Sequence, residues 1–305
     1  MIKLTFFLLP LAFVFADIDD HFKKIERKTD GHSIRNIDFI YLINLDQRPE
    51  KFQMSLNQLK PYGIEPFRFP AVNGWELSLE AINDIGVIFS PGMDGDFMGT
   101  SYHTGGDGSP SHENIEVPGQ AYFIHTFSRG GAGCALSHLS VLQDAFDSGY
   151  ETIWVMEDDI EVLRDPTILP HLIDKLDAIV GTKGWDVLFT DRDFRNSNGW
   201  HVPGYGATRR LGLDRRQFAE DFSFKVDVSS DFRKIANRYG THSMIIRRSG
   251  MKKILQFFKA HQIFAPYDMD LIYVPGINLF TVSDDVVGNL PHAISDLGVP
   301  HYLDK

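Results

Sequence analysis

Glu151 to Val162 reads ETIWVMEDDIEV. Ile153, Trp154, Val155 and Met156 form the short apolar run of a buried strand. The run ends in three consecutive acids, Glu157, Asp158 and Asp159. Carboxylates clustered at a strand end belong at the carboxyl edge of an α/β sheet, where ligands bind. Three adjacent acids repel one another unless a cation or hydrogen-bond donors compensate. Oxygen donors of this kind suit Mg²⁺ or Mn²⁺, above all when a phosphate completes the shell. An acidic turn after a strand is also an ordinary surface feature, so the neighbouring segments decide.

Upstream, Gly133 to Gly149 carries Leu136, Leu139, Leu142 and Phe146 on one helical stripe, and Gly149 is a stop signal. Downstream, Asp165 caps and Pro166 opens a helix striped by Leu169, Leu172, Ile173, Leu176 and Ile179, which ends at Gly181. Trp185 to Thr190 is a further strand. Near the start, Asp38 to Leu45 reads as a strand, a helix runs from Pro49 to about Lys60, and Ile64 to Phe69 reads as the next strand. That is a βαβ unit, which implies parallel pairing. Thr241 to Arg247 and Asn278 to Val282 are late strands, with a helix from Ser249 to Ala260 between them. Met93 to Pro118, rich in Gly, Ser, Pro, Asp and His, reads as a long loop, and Arg192 to Asp231 as irregular. The expected fold is one α/β domain over residues 37–290, a Rossmann-like, mostly parallel sheet flanked by helices. Residues 17–36 read as a polar linker and 291–305 as a C-terminal tail.

The 305 residues are 43% hydrophobic and 23% charged, with 30 basic against 41 acidic side chains and a formal net charge of −11. Such a balance gives no electrostatic basis for binding nucleic acid or an anionic membrane. The first residues, MIKLTFFLLPLAFVFA, have a basic Lys3 and an apolar stretch from Leu4 to Val14. Val14 and Ala16 satisfy the small-x-small rule, so a signal peptide over residues 1–16 is expected to be cleaved after Ala16. An uncleaved anchor is the alternative. The expected location is extracytoplasmic: secreted, periplasmic or in the lumen of the secretory pathway. No other segment is apolar enough to span a bilayer. The single cysteine, Cys134, permits no intramolecular disulfide, and its neighbours Gly133, Ala135 and Leu136 suggest a buried thiol.

Four blocks resemble glycosyltransferase family 25, which includes lipopolysaccharide glycosyltransferases and collagen galactosyltransferases. They are IYLINLDQRPEKF (Ile40–Phe52) with PFRFPAVNGWEL (Pro66–Leu77), then GGAGCALSH (Gly130–His138), then WVMEDDIEV (Trp154–Val162), and last THSMIIRRSGMKKIL (Thr241–Leu255) with PYDMDL (Pro266–Leu271). They stand in the family's order. The second block departs from the pattern: many members have Gly-Glu-x-Gly-Cys, and here Gly131 replaces the acid.

The resemblance implies a GT-A-like fold and inverting transfer of a hexose, with galactose foremost. The donor is a nucleotide-sugar, UDP-linked, and the acceptor a hydroxyl of a glycan, lipopolysaccharide or protein. A divalent cation, Mn²⁺ or Mg²⁺, neutralises the leaving diphosphate. Glu157-Asp158-Asp159 stands in for the DxD motif, with Glu157 and Asp159 as metal ligands and Asp158 at the nucleotide. Asn44, Asp46 and Arg48 follow the first strand, at the turn where nucleotides bind. Arg48 fits a diphosphate, while Asp46 also fits a helix cap. Ser137 and His138 join the donor set, His138 with a structural role in the helix–sheet interface as its alternative. An inverting displacement needs a base for the acceptor hydroxyl. Asp268 is the first candidate and Asp191 the second, with Asp193 and Asp270 behind them. Arg209 and Arg210 read as a solvated pair or a phosphate contact. A metal-dependent phosphohydrolase would need an acid two residues after Asp46, where Arg48 stands. A non-catalytic, secreted carbohydrate-binding or interaction protein that keeps the fold is the alternative.

Overall fold

The computed structural model describes residues 17–204, 209–213 and 223–303. Residues 1–16, expected to be a signal peptide, lie outside the described residues. Two strands set the frame. Phe39–Asn44 and Thr152–Glu157 pair in parallel, with Tyr41 opposite Val155 and Ile43 opposite Glu157. Every residue of Phe39–Asn44 is buried, so both sheet faces are covered. Phe39, Tyr41 and Ile43 point to a core shared with the helices Arg129–Asp147 and Arg248–His261. Ile40 and Leu42 point to the opposite core, shared with Pro49–Leu59 and Leu169–Val180. The period-two alternation of a strand thus assigns one helical layer to each face.

The eight-stranded sheet runs Lys225–Asp227, Phe232–Ile235, Leu279–Val282, Val187–Phe189, Ser243–Arg247, Thr152–Glu157, Phe39–Asn44, Phe67–Pro70. Ser243–Arg247 is antiparallel to both of its neighbours, and Phe232–Ile235 is antiparallel to both of its own. The remaining strands share one direction, since Phe39–Asn44, Phe67–Pro70 and Thr152–Glu157 pair in parallel and Val187–Phe189 pairs in parallel with Leu279–Val282. The expected α/β architecture is present.

Three expectations need correction. Residues 17–36 are not a free linker. Ile18 and Phe22 are buried in the core, and the Lys28 ammonium lies 5.0 Å from the Tyr150 ring and 5.4 Å from Phe39 while pairing with Asp144 at 2.7 Å. A desolvated cation over aromatic rings with a carboxylate partner is a firm anchor that polar composition alone conceals. Residues 291–303 are not a loose tail either: Asp296 is 8% exposed and is held by Arg48. The expected loop of residues 93–118 contains the strands Met98–Ser101 and Ser111–Asn114, which join Ala121–Ile124 and Val87–Ile88 in a separate antiparallel sheet. Their polar, glycine-bearing sequence shows no alternation, and side-chain hydrogen bonds such as Ser101 and Gln120 to Glu113, both 2.6 Å, reinforce them.

The glycines of GGAGC serve backbone crossings at the start of helix Arg129–Asp147. A Cβ on Gly133 would lie 2.4 Å from the Gly74 nitrogen, and one on Gly130 would lie 2.3 Å from the Leu297 carbonyl oxygen. Gly131 is different. A Cβ there meets only Ser128 Oγ at 3.4 Å and Phe127, both at ordinary contact distance. Ser128 caps this helix by accepting from Gly131 N at 3.0 Å, so residue 131 is the third helical position. A glutamate there completes a capping box. Gly131→Glu should therefore stabilise the fold by about 1 kcal/mol, because it removes a helical glycine and adds a cap. Urea denaturation of the two proteins measures it, and an unchanged midpoint would reject the capping role.

Candidate active site

The acids sit where the parallel strands end. Glu157 closes its strand, Asp158 and Asp159 turn, and Ile160–Val162 pairs with Val287–Asn289. A cavity of about 500 Å³ opens there, lined by Glu157, Asp158, Asp159, His242, Asp268 and Lys51 among others. Residues 289–297 form part of its wall.

Glu157 and Asp159 converge on His242. His242 Nδ1 lies 3.0 Å from Asp159 Oδ1 and 3.9 Å from Glu157 Oε2. Glu157 Oε1 also accepts from Thr241 Oγ1 at 2.8 Å and lies 3.0 Å from His138 Nε2. Asp158 points away from this group. Its carboxylate accepts from Asn44 Nδ2 at 2.7 Å and lies 4.0 Å from the Lys51 ammonium, and its carbonyl accepts from Ser55.

Burial alone would raise the Glu157 carboxyl; the His138 hydrogen bond and the His242 charge overcome it and hold the group at about 2. Burial disfavours charge on His242 too, yet Asp159, then Glu157, raise it to about 9. Asp158 is pushed up to about 6 by burial, against Lys51 and Asn44. At neutral pH the His242 imidazolium therefore balances the two neighbouring carboxylates. Because the folded value lies above the ordinary 6.5, this contribution to stability is complete below pH 6.5 and disappears as the pH rises through about 9. Metal-free protein should lose up to about 3 kcal/mol relative to His242→Gln between pH 6.5 and 9.5, as read by denaturant titration at both ends. A constant difference between the two proteins would refute the pairing.

Ligand atoms of Glu157, Asp159 and His242 all lie within 4.8 Å of one another. Two carboxylates and one imidazole lining this cavity fit Mn²⁺ or Mg²⁺, and the imidazole tilts the set towards Mn²⁺. Cys134, His138 and Glu157 form a second cluster of this kind. Burial, followed by the charges of Glu157, Asp268 and Asp159, pushes the Cys134 thiol well above its ordinary value. In the metal-free protein it therefore stays protonated, and a thiol is a softer donor than Mn²⁺ or Mg²⁺ prefers.

The remaining expected residues separate clearly. Ser137 is buried and ties Val72 N at 2.9 Å and Gly133 O at 2.6 Å. His138 is 1% exposed, stacked on Tyr267 with centroids 4.7 Å apart, and orients Glu157. Both line the cavity. Asn44 holds Asp158 and accepts from Arg68 at 2.7 Å. Asp46 is exposed and paired with Arg68 at 2.7 Å, and the helix starting at Pro49 has no side-chain cap.

Arg48 is not the expected diphosphate ligand: it is 6% exposed, bonded to Asp296 at 2.7 Å and Glu50 at 3.2 Å. Lys51, one helical turn on, faces the cavity in its place.

Asp268 does line the cavity, and accepts from Gly240 N at 2.7 Å and Met269 N at 2.9 Å. Burial raises its carboxyl despite those two donors, which suits a base. Asp191, the second candidate, is overturned: it is 1% exposed and clamped by both terminal nitrogens of Arg238, at 2.6 and 3.0 Å. A carboxylate sealed in a bidentate pair has no access to an acceptor hydroxyl. Asp193 is buried beside Lys225 at 3.0 Å, and Asp270 is fully buried against Arg210 at 2.9 Å. Arg210 is thus a core ion-pair residue, not a solvated one, while Arg209 pairs with Asp94 at the surface.

Sequence reasoning missed Thr241, His242, Lys51 and the wall of residues 289–297. A signal for His242 existed: it precedes an apolar strand inside one of the blocks that carry the resemblance.

A Rossmann-like sheet with an acid cluster and a cavity at its strand ends is the architecture of a glycosyltransferase. The chain belongs to glycosyltransferase family 25: the family's model, described as an LPS biosynthesis protein, matches residues 37–271. It is similar to a glycosyltransferase 25 family member of Aedes aegypti, 29% identical over 156 residues, which covers 51% of this chain and 21% of that protein. A family member of Drosophila melanogaster is 26% identical over 173 residues, 57% of this chain and 24% of that protein. A human relative, named inactive glycosyltransferase 25 family member 3, is 25% identical over 156 residues, 51% of this chain and 22% of its own length. The matched region thus spans about a fifth to a quarter of these curated relatives. Among the described residues no helix is long and apolar enough to cross a membrane.

Proposed function

We propose that the chain is a metal-dependent, inverting hexosyltransferase that takes its sugar, galactose foremost, from a UDP-linked donor and passes it to an acceptor hydroxyl. The observation that carries this reading is the convergence of Glu157, Asp159 and His242 on the cavity at the ends of the parallel strands. These three residues hold the divalent cation, Mn²⁺ or Mg²⁺. That cation, when bound, neutralises the charge that develops on the leaving diphosphate. Asp158, steered by Asn44, faces the nucleotide, and Lys51 adds a positive charge on the same side. Asp268 takes the proton from the acceptor hydroxyl as its oxygen attacks the anomeric carbon and the bond to the diphosphate breaks. His138 and Thr241 hold Glu157 in place. Residues 1–16 act as a leader that carries the chain out of the cytoplasm, and N-terminal sequencing of the secreted product tests cleavage after Ala16.

Donor hydrolysis and thermal shift with a panel of UDP- and GDP-sugars, with and without Mn²⁺, test the assignment. One sugar nucleotide should stabilise the chain only with metal. Asp268→Asn should keep that shift and lose about 10²–10⁴-fold in turnover, the usual contribution of a positioned base. Full turnover in Asp268→Asn removes Asp268 from the role.

The human relative named inactive favours a second reading, a non-catalytic carbohydrate-binding protein that keeps the fold. Absence of any nucleotide binding, with or without Mn²⁺, would make it the leading reading.

A further inference from the structure

Helix Arg129–Asp147 brings to the acid cluster two donors that the proposed transfer does not use as ligands. Cys134 and His138 stand four residues apart, on one face of the helix. Two helical ligands at this spacing, completed by a carboxylate from elsewhere, hold a metal and leave one position open. The carboxylate here is Glu157, the last residue of strand Thr152–Glu157. Ligand atoms of the three residues all lie within 4.8 Å of one another. Bond lengths of about 2.0–2.3 Å set tetrahedral zinc donors about 3.3–3.8 Å apart, so the set closes with side-chain shifts of about an ångström.

Each donor is held by its surroundings. Gly133 pins the backbone before Cys134, since a Cβ on it would lie 2.4 Å from the Gly74 nitrogen. The His138 ring stacks on Tyr267 at an interplanar angle of 9°, with Nε2 3.0 Å from Glu157 Oε1. Glu157 turns its other oxygen to His242, at 3.9 Å, so its two oxygens serve different neighbours. Tyr267 adds an independent mark. It is 2% exposed, and its hydroxyl has no hydrogen-bond partner. Burial first, then the charges of Cys134 and Glu157, raise that hydroxyl, so it stands beside both. A buried donor without an acceptor calls for an explanation, and a thiolate at Cys134 supplies a negatively charged acceptor next to it.

Cys134 is half-buried and lines the cavity, so a cation can reach it. Glu157, Asp268 and Asp159, whose charges oppose a bare thiolate after burial has done so, attract a dication to the same place. Sulfur and imidazole donors select Zn²⁺ over Mn²⁺ or Mg²⁺.

We infer that Cys134, His138 and Glu157 form a second cation site, for Zn²⁺, which shares only Glu157 with the Glu157/Asp159/His242 set. As the sulfur–zinc bond forms, the thiol releases its proton to solvent. The thiolate and the carboxylate then balance the two positive charges, and the fourth position is left to water. This site needs neither nucleotide nor turnover, so it does not rest on the transferase reading.

Co²⁺, a coloured substitute for Zn²⁺, tests it by titration into the metal-free full chain. One equivalent should give a thiolate-to-cobalt charge-transfer band in the near ultraviolet, and Zn²⁺ should remove it. The chain has one cysteine, so such a band names Cys134. Cys134→Ser should lose the band and at least about a hundredfold in Zn²⁺ affinity, and His138→Gln at least about tenfold. Unchanged Mn²⁺ affinity in Cys134→Ser shows that it folds. The absence of a band in the wild type, or equal Zn²⁺ affinity in Cys134→Ser, overturns the site. A band and Zn²⁺ affinity that His138→Gln leaves unaltered overturn the ligand set. If Cys134→Ser does not fold, the wild-type spectrum and His138→Gln still decide. Asp159→Asn should lose Mn²⁺ and keep the band; loss of both overturns the separation of the two sites. If the wild-type chain binds neither Mn²⁺ nor a sugar nucleotide while the band persists, the transferase reading fails and the zinc site stands.

Discussion

Asp159→Asn should abolish the metal-dependent stabilisation by the sugar nucleotide and lower turnover at least about a hundredfold. The argument is geometric. Asp159 and Glu157 are the carboxylates that face His242, and among the described residues they form, with it, a set of oxygen and nitrogen donors within 4.8 Å. Losing even an outer partner of a metal ligand weakens affinity about 10–100-fold, so a direct ligand should matter more. The substitution is isosteric and keeps a hydrogen-bond acceptor for His242, so the metal-free fold should survive. Isothermal titration with Mn²⁺, followed by donor hydrolysis, reads both effects. An Asp159→Asn protein that binds Mn²⁺ with wild-type affinity removes the cation from this site. Asp158→Asn is the control, because Asp158 is turned towards Asn44 and Lys51 and should chiefly alter nucleotide affinity.

Much of this site could be read from the chain before its coordinates. The acid triplet after an apolar run gave the strand end, and the βαβ pattern from Asp38 to Phe69 gave the parallel pair beside it. Asp268 could be placed because PYDMDL follows the other blocks. What could not be read is the reversed strand Ser243–Arg247, which inserts between two strands that run the other way. Its register puts Ser243 opposite Met156, and so His242 beside Glu157. Local periodicity specifies a strand but not its partner or direction, because those depend on contacts far apart in sequence. The same limit hid the role of Arg48. Its place after the first strand suggests a phosphate, but its partner Asp296 lies 248 residues away. Polar composition misled at both ends, since a few side chains, Ile18, Phe22, Lys28 and Asp296, suffice to tie a polar segment down.

Asp191→Asn should destabilise the fold by about 3–5 kcal/mol, because it breaks a buried ion pair. Asp191 and Arg238 are both almost fully buried, with side chains 1% and 2% exposed, and the guanidinium also lies 4.6 Å from the Phe189 ring. Removing the negative charge leaves the arginine in the interior with its hydrogen bonds reduced and no counter-charge, and a buried charge cannot recover its hydration there. A loss of this size is a large part of the 5–15 kcal/mol that holds a typical domain folded. The pair also anchors the segment that delivers Gly240 to Asp268, Thr241 to Glu157 and His242 to Asp159. Its work is to hold that segment, not to move a proton. Guanidinium denaturation of the variant beside Asp191→Leu/Arg238→Met separates the two roles. Removing both charges together should restore most of the lost stability, because no unpaired ion remains. A single variant as stable as the wild type but devoid of turnover would instead return Asp191 to the position of base.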